Sequence, residues 1–538
     1  MEAEEARADD ARPDEQGDAG TGTESDSETP NSGPFPTKSP LDGSALPAVV
    51  ATETNAVEAL AKKARDAQKA WADKPARERA SALAPVAKRI LQRAQEIADL
   101  LHQECGKPIE EAALAEVLPN ADLVEYWTSS IEELLEGTTV ELDPLAYPGK
   151  LGRIHKLPRG LVGLITPWNY PIAIPLRSIV PALLAGNAVL FKPSEITPRA
   201  GALVASLFEG LVPDGLLALV QGGGDLGAAV VDQADLVVFT GSVATGKRVA
   251  VRCAERLIPC SLELGGKDAA IVFADAPLER TANGLVWGAF TNAGQNCASI
   301  ERVYVERAIA DKLIARIVEL TKALRPGVDT AVLTTERQCE IVRRHLAEAE
   351  SSGAKVLAGG APEAGSLAFA PTVVRIEAED TPLMQDETFG PILPIVVVDS
   401  FEDAISRVNA SRYGLTTSLW TRRVAFAHSL ANRFRTGVVT INNHGFTAAL
   451  AAAPWTGTGE SGFGVTNSPY ALAEFTRPQF VLEDRSGGAR ELWWYPYTPV
   501  LRKIAFAMAR ARGGAGFFGR IAAVFELLSA FPKRLMGG

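Results

Sequence analysis

The sequence predicts an α/β protein, with a parallel sheet in one domain beside a second α/β domain. Three observations carry that expectation. From about residue 159 onward, short apolar runs alternate with amphipathic helical stretches. The runs are apolar throughout, as strands covered on both faces must be. At 538 residues, 46% apolar and 22% charged, the chain has the length for several cores, since ~100–200 residues make a typical domain.

Along the chain, residues 1–45 are rich in Glu, Asp, Ser, Thr, Gly and Pro, and residues 1–46 carry 12 Asp/Glu against 3 Lys/Arg. Such a segment buries too little apolar surface to offset its ordering entropy, so a disordered acidic tail is expected. Residues 53–135 show apolar positions at i, i+3, i+4 and i+7, the spacing of amphipathic helices. The first strand–helix series comprises GLVGLITP, AVLFKPS, LLALVQGGG and DLVVFTGS, with a helix opening at Ala244. A second comprises AAIVFA, RVYVER, KVLAGG, PTVVRI, PILPIVVV, TSLWT and GVVTINN, with helices at 309–324, 401–410 and 423–434.

Composition excludes several classes. No run of 18 apolar residues occurs, so no membrane-crossing helix is expected. The acidic start MEAEEARADD lacks the apolar core of a signal peptide. Five cysteines without CxxC pairs and five isolated histidines predict a reducing, cytoplasmic setting, no disulfide framework and no metal site. A net charge of −11 argues against nucleic-acid binding.

Seven motifs carry chemistry. LITPWNYP ends a strand in a turn where the Asn169 amide can donate to an oxyanion. AVLFKPSE delivers Lys192, Ser194 and Glu195 to a strand's carboxyl end, suited to ribose hydroxyls. VQGGGDLG holds Gly222, Gly224 and Gly227 at G-x-G-x-x-G spacing, although the strand–loop–helix context of a standard Rossmann unit is not evident. Phe239-Thr240-Gly241-Ser242 ends a strand and opens a helix with Ser242 as N-cap, an anion site. LELGGK places Glu263 between leucines before a glycine pair, as a candidate general base. FTNAGQNCASIERV sets Cys297 among small and amide residues, unlike an inert thiol packed among apolar groups. DETFGPILPIVV adds Glu387 and Phe389 before a buried strand.

In this order, PWNYP, KPSE, FTGS, LELGGK, GQNC, ETFGP and GxxxxNN resemble the aldehyde dehydrogenase superfamily over residues 48–485. The resemblance implies a Rossmann-like dinucleotide-binding domain for the cofactor at 46–137 and 159–265, an α/β catalytic domain at 266–467, and a β-strand oligomerisation arm at 138–158 and 468–490. It implies Cys297 as nucleophile, Glu263 as general base and Asn169 as oxyanion-hole amide. It further implies a cofactor site at Ile165, Thr166, Pro167, Trp168, Lys192, Ser194, Glu195, Gly222, Gly224, Gly227, Phe239, Thr240, Gly241, Ser242, Leu264, Gly265, Glu387 and Phe389.

Expected partners are an aldehyde and NAD, with NADP as the alternative, in a homo-dimer or homo-tetramer. Glu195 would repel a 2′-phosphate, and Lys192 partly offsets it. Glu263 favours hydrolysis over transfer to coenzyme A; an acylating enzyme or a non-catalytic scaffold are the alternative readings. Arg177 falls where semialdehyde-type members place a carboxylate-binding arginine, with a solvated helix position as the alternative. PWTGTGESGFG departs from the family pattern, with Trp455 in place of Phe and a Lys absent. Beyond the resemblance, residues 491–538 hold Trp493, Trp494, Tyr495 and Tyr497, two amphipathic segments and 7 Lys/Arg against 2 Asp/Glu. Peripheral membrane contact or packing on protein is expected of them.

Overall fold

Strands with apolar residues on both faces, such as Leu161–Ile165 and Ala188–Lys192, are buried along their whole length, the terminal Lys192 included. They belong to a six-stranded sheet in the order Gly462–Phe463, Cys260–Glu263, Leu236–Thr240, Leu161–Ile165, Ala188–Lys192, Leu217–Leu219. All neighbours given a register are parallel except Gly462–Phe463, which runs antiparallel at one edge. The chain steps outward from Leu161–Ile165 and then restarts on its other side at Leu236–Thr240. That reversal is a topological switch point, where ligands sit beyond the carboxyl ends of the strands.

The computed structural model describes residues 33–143, 147, 149–362, 365–487 and 491–535. A seven-stranded sheet runs in the order Lys355–Gly360, Ala370–Arg375, Ile392–Val398, Arg302–Glu306, Ala269–Val272, Thr416–Trp420, Val438–Ile441. It is parallel except for Lys355–Gly360. Alternation sends Ile271 into one apolar cluster and Ala270 and Val272 into another, so both faces are covered. In register, Ala269 lies opposite Arg302, and Val303 opposite Ile395. LELGGK, the Cys297 segment and ETFGP therefore enter adjacent strands at the same sheet edge.

A second unit comprises Gly137–His155 and the chain from Gln479 onward. Its sheet has the order Thr476–Asp484, Lys150–Pro158, Thr138–Val140, and Lys150 pairs with Asp484 at 2.9 Å and also with Glu491. Helices Pro499–Ala509 and Phe517–Leu535 complete it.

The expected α/β class holds, with four local differences. Residues 33–45, expected in the disordered tail, join Gly33–Lys38 to Ala45–Ala51 as an antiparallel hairpin; its Phe35 is buried, and Thr52 N–H donates to the Gln221 carbonyl at 2.8 Å. Residues 1–32 lie outside the described residues. Ser468–Phe475, expected in the arm, is a helix whose Ala471, Leu472 and Phe475 are buried. Helix Glu336–Ser351 was not anticipated, because its buried stripe includes Cys339 and His345, which blur the apolar period. The strand–loop–helix context missing from the G-x-G-x-x-G reading is present, as Leu217–Leu219 followed by helix Gly224–Gln233, but on the outermost strand.

A buried ion pair fixes the turn that carries Asn169. Lys107 and Glu116 are fully buried and bonded to each other. The other Glu116 oxygen accepts from the N–H groups of Ile172 (2.9 Å) and Ala173 (3.2 Å), opening helix Ala173–Leu184. Lys107 also stands 3.9 Å from the centroid of the Tyr170 ring. Removing one partner strands a buried charge, so Glu116→Ala should lose about 3–5 kcal/mol in denaturant unfolding. The double change Lys107→Met, Glu116→Leu should recover most of that loss.

Candidate active site

Cys297 is half-buried and packs with Ala298, Leu415, Val438 and Trp455, an apolar wall on one side of the thiol. Before it, Asn292, Ala293 and Gly294 take φ of 51°, 54° and 71°, three successive left-handed residues. Two of these are not glycine, so the segment holds a backbone shape that costs energy. It is repaid by hydrogen bonds: the Asn292 amide donates to the Asn169 carbonyl at 3.1 Å and to the Gln295 carbonyl at 3.0 Å. Gln295 accepts from Thr334 N–H at 2.8 Å. A Cβ on Gly294 would lie 2.2 Å from the Gly390 carbonyl oxygen, so only glycine fits that approach.

The Asn169 Nδ2 donates to the Gln295 carbonyl at 3.1 Å, joining the oxyanion-hole candidate to the cysteine segment. One amide N–H is thereby used and the second is left over. Beside the apolar wall, buried His444 contacts the Ala298 carbonyl through Nε2 at 2.7 Å. Burial pushes its pKa down to about 4, so a neutral imidazole donates and holds the backbone after Cys297. Sequence reasoning missed His444, although it directly follows the Asn442-Asn443 pair.

Glu263 is buried and bound at both oxygens, by the Arg177 guanidinium at 3.3 Å and by the Thr466 hydroxyl. Arg177 is thus an ion-pair partner and not the solvated helix residue of the alternative reading; it also donates to the Ala448 carbonyl at 3.4 Å. Burial pushes the Cys297 thiol up to about 12, against the pull of Arg177 and with the push of Glu263, Glu387 and Asp268.

The switch-point edge gathers the cofactor candidates. Ile165 and Thr166 are buried, and Pro167 and Trp168 half-buried. Lys192 Nζ lies 3.3 Å from Glu195 and 3.1 Å from the Pro193 carbonyl. Ser194 spends a lone pair on the Ile196 N–H at 3.2 Å, a turn bond that fixes the loop. Phe239 is buried beneath Thr240, and the Gly241 N–H donates to the Glu263 carbonyl at 3.1 Å. Exposed Ser242 caps helix Val243–Glu255 through the Thr245 N–H, leaving an accessible helix N-terminus. Of the three glycines, Gly227 adjoins Lys192 and Ile165: a Cβ there would sit 3.7 and 3.8 Å from them. Gly222 is buried against Leu226, and Gly224 is exposed at the start of its helix. These placements suit a dinucleotide: a capped but open helix end for pyrophosphate, a carboxylate–lysine pair for ribose, and a buried Thr166 hydroxyl with no protein partner.

At the other sheet edge, Glu387 accepts from Gly266 N–H at 2.9 Å, and a Cβ on Gly265 would strike its carboxylate at 2.1 Å. Burial, with Glu301 nearby, pushes Glu387 up to about 8. Leu264 is buried and anchored to the Ser461 carbonyl at 3.1 Å. Phe389, at φ 50°, meets Trp168 edge-on with centroids 5.6 Å apart. Glu301, to which sequence reading gave no role, accepts from the N–H groups of Thr388 (2.8 Å) and Phe389 (2.7 Å) and pairs with Lys267. Gln338 closes the same loop through the carbonyls of Thr388 (2.8 Å) and Phe389 (3.0 Å). Among the described residues, no cluster of His, Cys, Asp or Glu could hold a metal ion.

Over most of its length the chain is similar to known proteins. The model of the aldehyde dehydrogenase family matches residues 27–481. A 4,4′-diapolycopene aldehyde oxidase from Methylomonas is 36% identical over 86% of this chain and 88% of its own. A Mycobacterium ulcerans protein assigned as an NADP(+)-type succinate-semialdehyde dehydrogenase is 36% identical over 83% of this chain and 89% of its own. The NAD+ complex of an aldehyde dehydrogenase from Bacillus cereus superposes with a TM-score of 0.81 at 31% identity, covering 84% of this chain and 94% of that one. With the family model matching residues 27–481 and a relative 36% identical over 86% of the chain, the protein belongs to the aldehyde dehydrogenase family.

Proposed function

We propose that the protein oxidises an aldehyde to a carboxylic acid with NAD, through a thioester on Cys297 that Glu263 hydrolyses. The observation that carries this reading is the meeting of Asn169, the Cys297 segment, Glu263 and Arg177. Cys297, as thiolate, attacks the carbonyl carbon and forms a thiohemiacetal. Its oxyanion takes hydrogen bonds from the free Asn169 amide N–H and the Cys297 backbone N–H. A nicotinamide cofactor held at the switch point would supply the acceptor for the hydride that leaves as the thiohemiacetal collapses to the thioester. Glu263 then draws a proton from water, which attacks the thioester and frees the acid. Thr466 and Arg177 hold the carboxylate for that step, and Arg177 also favours the thiolate.

Lys192 and Glu195 hold the adenosine ribose, and Ser242 with the helix it caps holds the pyrophosphate. Glu387 and Phe389 flank the nicotinamide riboside. NADP, named for the Mycobacterium ulcerans relative, is the second cofactor to test. The site accepts an aldehyde through the apolar side formed by Trp455, Leu415 and Val438. Copies of the chain assemble through the arm, whose strand Thr476–Asp484 exposes Phe480, Val481 and Leu482. Residues 491–538 make peripheral contact with a membrane from the cytoplasmic side.

Cys297→Ser should abolish NAD-dependent aldehyde oxidation; a variant that still turned over would overturn the mechanism. Glu263→Gln should give a burst of reduced cofactor followed by turnover slowed by roughly 100-fold, seen by stopped-flow absorbance. Glu195→Gln should raise the ratio of kcat/KM with NADP to that with NAD by about tenfold or more, since one unit of repulsion is removed. Alkylation of Cys297 by iodoacetamide should rise with pH. Arg177→Gln removes the neighbouring cation, moves the thiol midpoint further up, and should slow alkylation at pH 8 by roughly tenfold.

A further inference from the structure

The C-terminal helix Phe517–Leu535 is apolar on two opposite sides. Ala523 and Ala530 are buried, with Glu526 and Leu527 half-buried, on the side that packs against helix Pro499–Ala509. Phe517, Phe518, Ile521, Val524, Phe525 and Leu528 recur at i, i+1, i+4, i+7, i+8 and i+11, one continuous stripe about half a turn away. All six are exposed, from 42% at Ile521 to 84% at Phe518. The hairpin's internal packing needs only one apolar side. The second side requires another partner.

Charge decides between the partners. From Pro499 to Leu535 the chain holds seven Lys/Arg and one acidic residue, Glu526, which is paired with Arg510. A second copy of this face would bring cations against cations. A surface of anionic phospholipid would neutralise them, at roughly 1 kcal/mol per basic residue near the headgroups. Arg502, Lys503, Arg512 and Arg520 are exposed on the same hairpin. Ahead of it, Trp493, Trp494, Tyr495 and Tyr497 are exposed between 45% and 77%, rings with an apolar body and a polar edge suited to the headgroup layer. No described helix is long and apolar enough to cross a bilayer, so the hairpin lies in the plane.

We infer that the hairpin Pro499–Leu535 docks on an anionic bilayer, with the stripe from Phe517 to Leu528 in the acyl boundary and its arginines and lysines at the phosphates. This rests on the peripheral contact proposed above and names its face and its lipid. The full chain should co-sediment with vesicles of phosphatidylcholine mixed with phosphatidylglycerol, bind phosphatidylcholine alone weakly, and be released by high salt. Ile521→Asp with Phe525→Asp should bind the mixed vesicles at least about tenfold more weakly. Oxidation of a water-soluble aldehyde, followed in the same samples, should be equal for both proteins. Inactivity with vesicle binding intact would count against the enzymatic reading alone. Equal binding of the double variant would overturn the inference. So would an oligomer that ignores vesicles and dissociates in the double variant, because the face would then be a contact between copies.

Discussion

The carboxylate of Glu301 is the point on which the site depends. It lies among buried groups, where a bare charge is costly, and it is satisfied by the Lys267 ammonium and two backbone N–H groups. Those partners belong to LELGGK and to ETFGP, and Glu301 itself follows Cys297 by four residues. Arg302 adds bonds to the Lys267 carbonyl at 3.0 and 2.6 Å. The pairing of Ala269 with Arg302 and of Val303 with Ile395 sets the three segments side by side. Glu301 then locks the loops that strand pairing alone would leave free.

The same burial shapes the charges around the thiol. Cys297 and Glu387 are both driven toward their neutral forms, the thiol to about 12 and the carboxyl to about 8. A neutral Glu387 removes one negative charge from the thiol's surroundings at physiological pH. Arg177 supplies the opposing cation while its guanidinium is shared with Glu263. The Cys297 thiol and the Glu263 carboxylate therefore share one arginine.

Local pattern made much of this legible. Strands apolar at every position announced sheets covered on both faces, and the order of motifs announced the family. Cys297, Glu263 and Asn169 were weak signals one by one, since small, amide and acidic residues are common in turns, and only the order of their motifs along the chain drew them together. What escaped acts across the chain: Glu301 reaches Phe389 at a separation of 88 residues, and His444 reaches Ala298 at 146. No window of sequence carries such pairings. Arg177 was ambiguous for the same reason, since its partner Glu263 lies 86 residues away. The first strand of the hairpin at 33–51 escaped because its Gly33, Pro34 and Pro36 read as a tail, while the order of the hairpin draws on buried Phe35 and on the bond from Thr52 to Gln221.

The two sides of Cys297 are built by different forces. On the side proposed for the cofactor, Glu301, Lys267, Gln338 and Glu387 form directional bonds that tolerate no change of length or shape. On the side proposed for the aldehyde, Trp455, Leu415 and Val438 meet Ala298 through dispersion alone. Apolar walls accept substitutions of similar volume with little loss. Descendants of this chain are thus free to change diet by repainting one wall, while the machinery that removes the electrons is inherited intact.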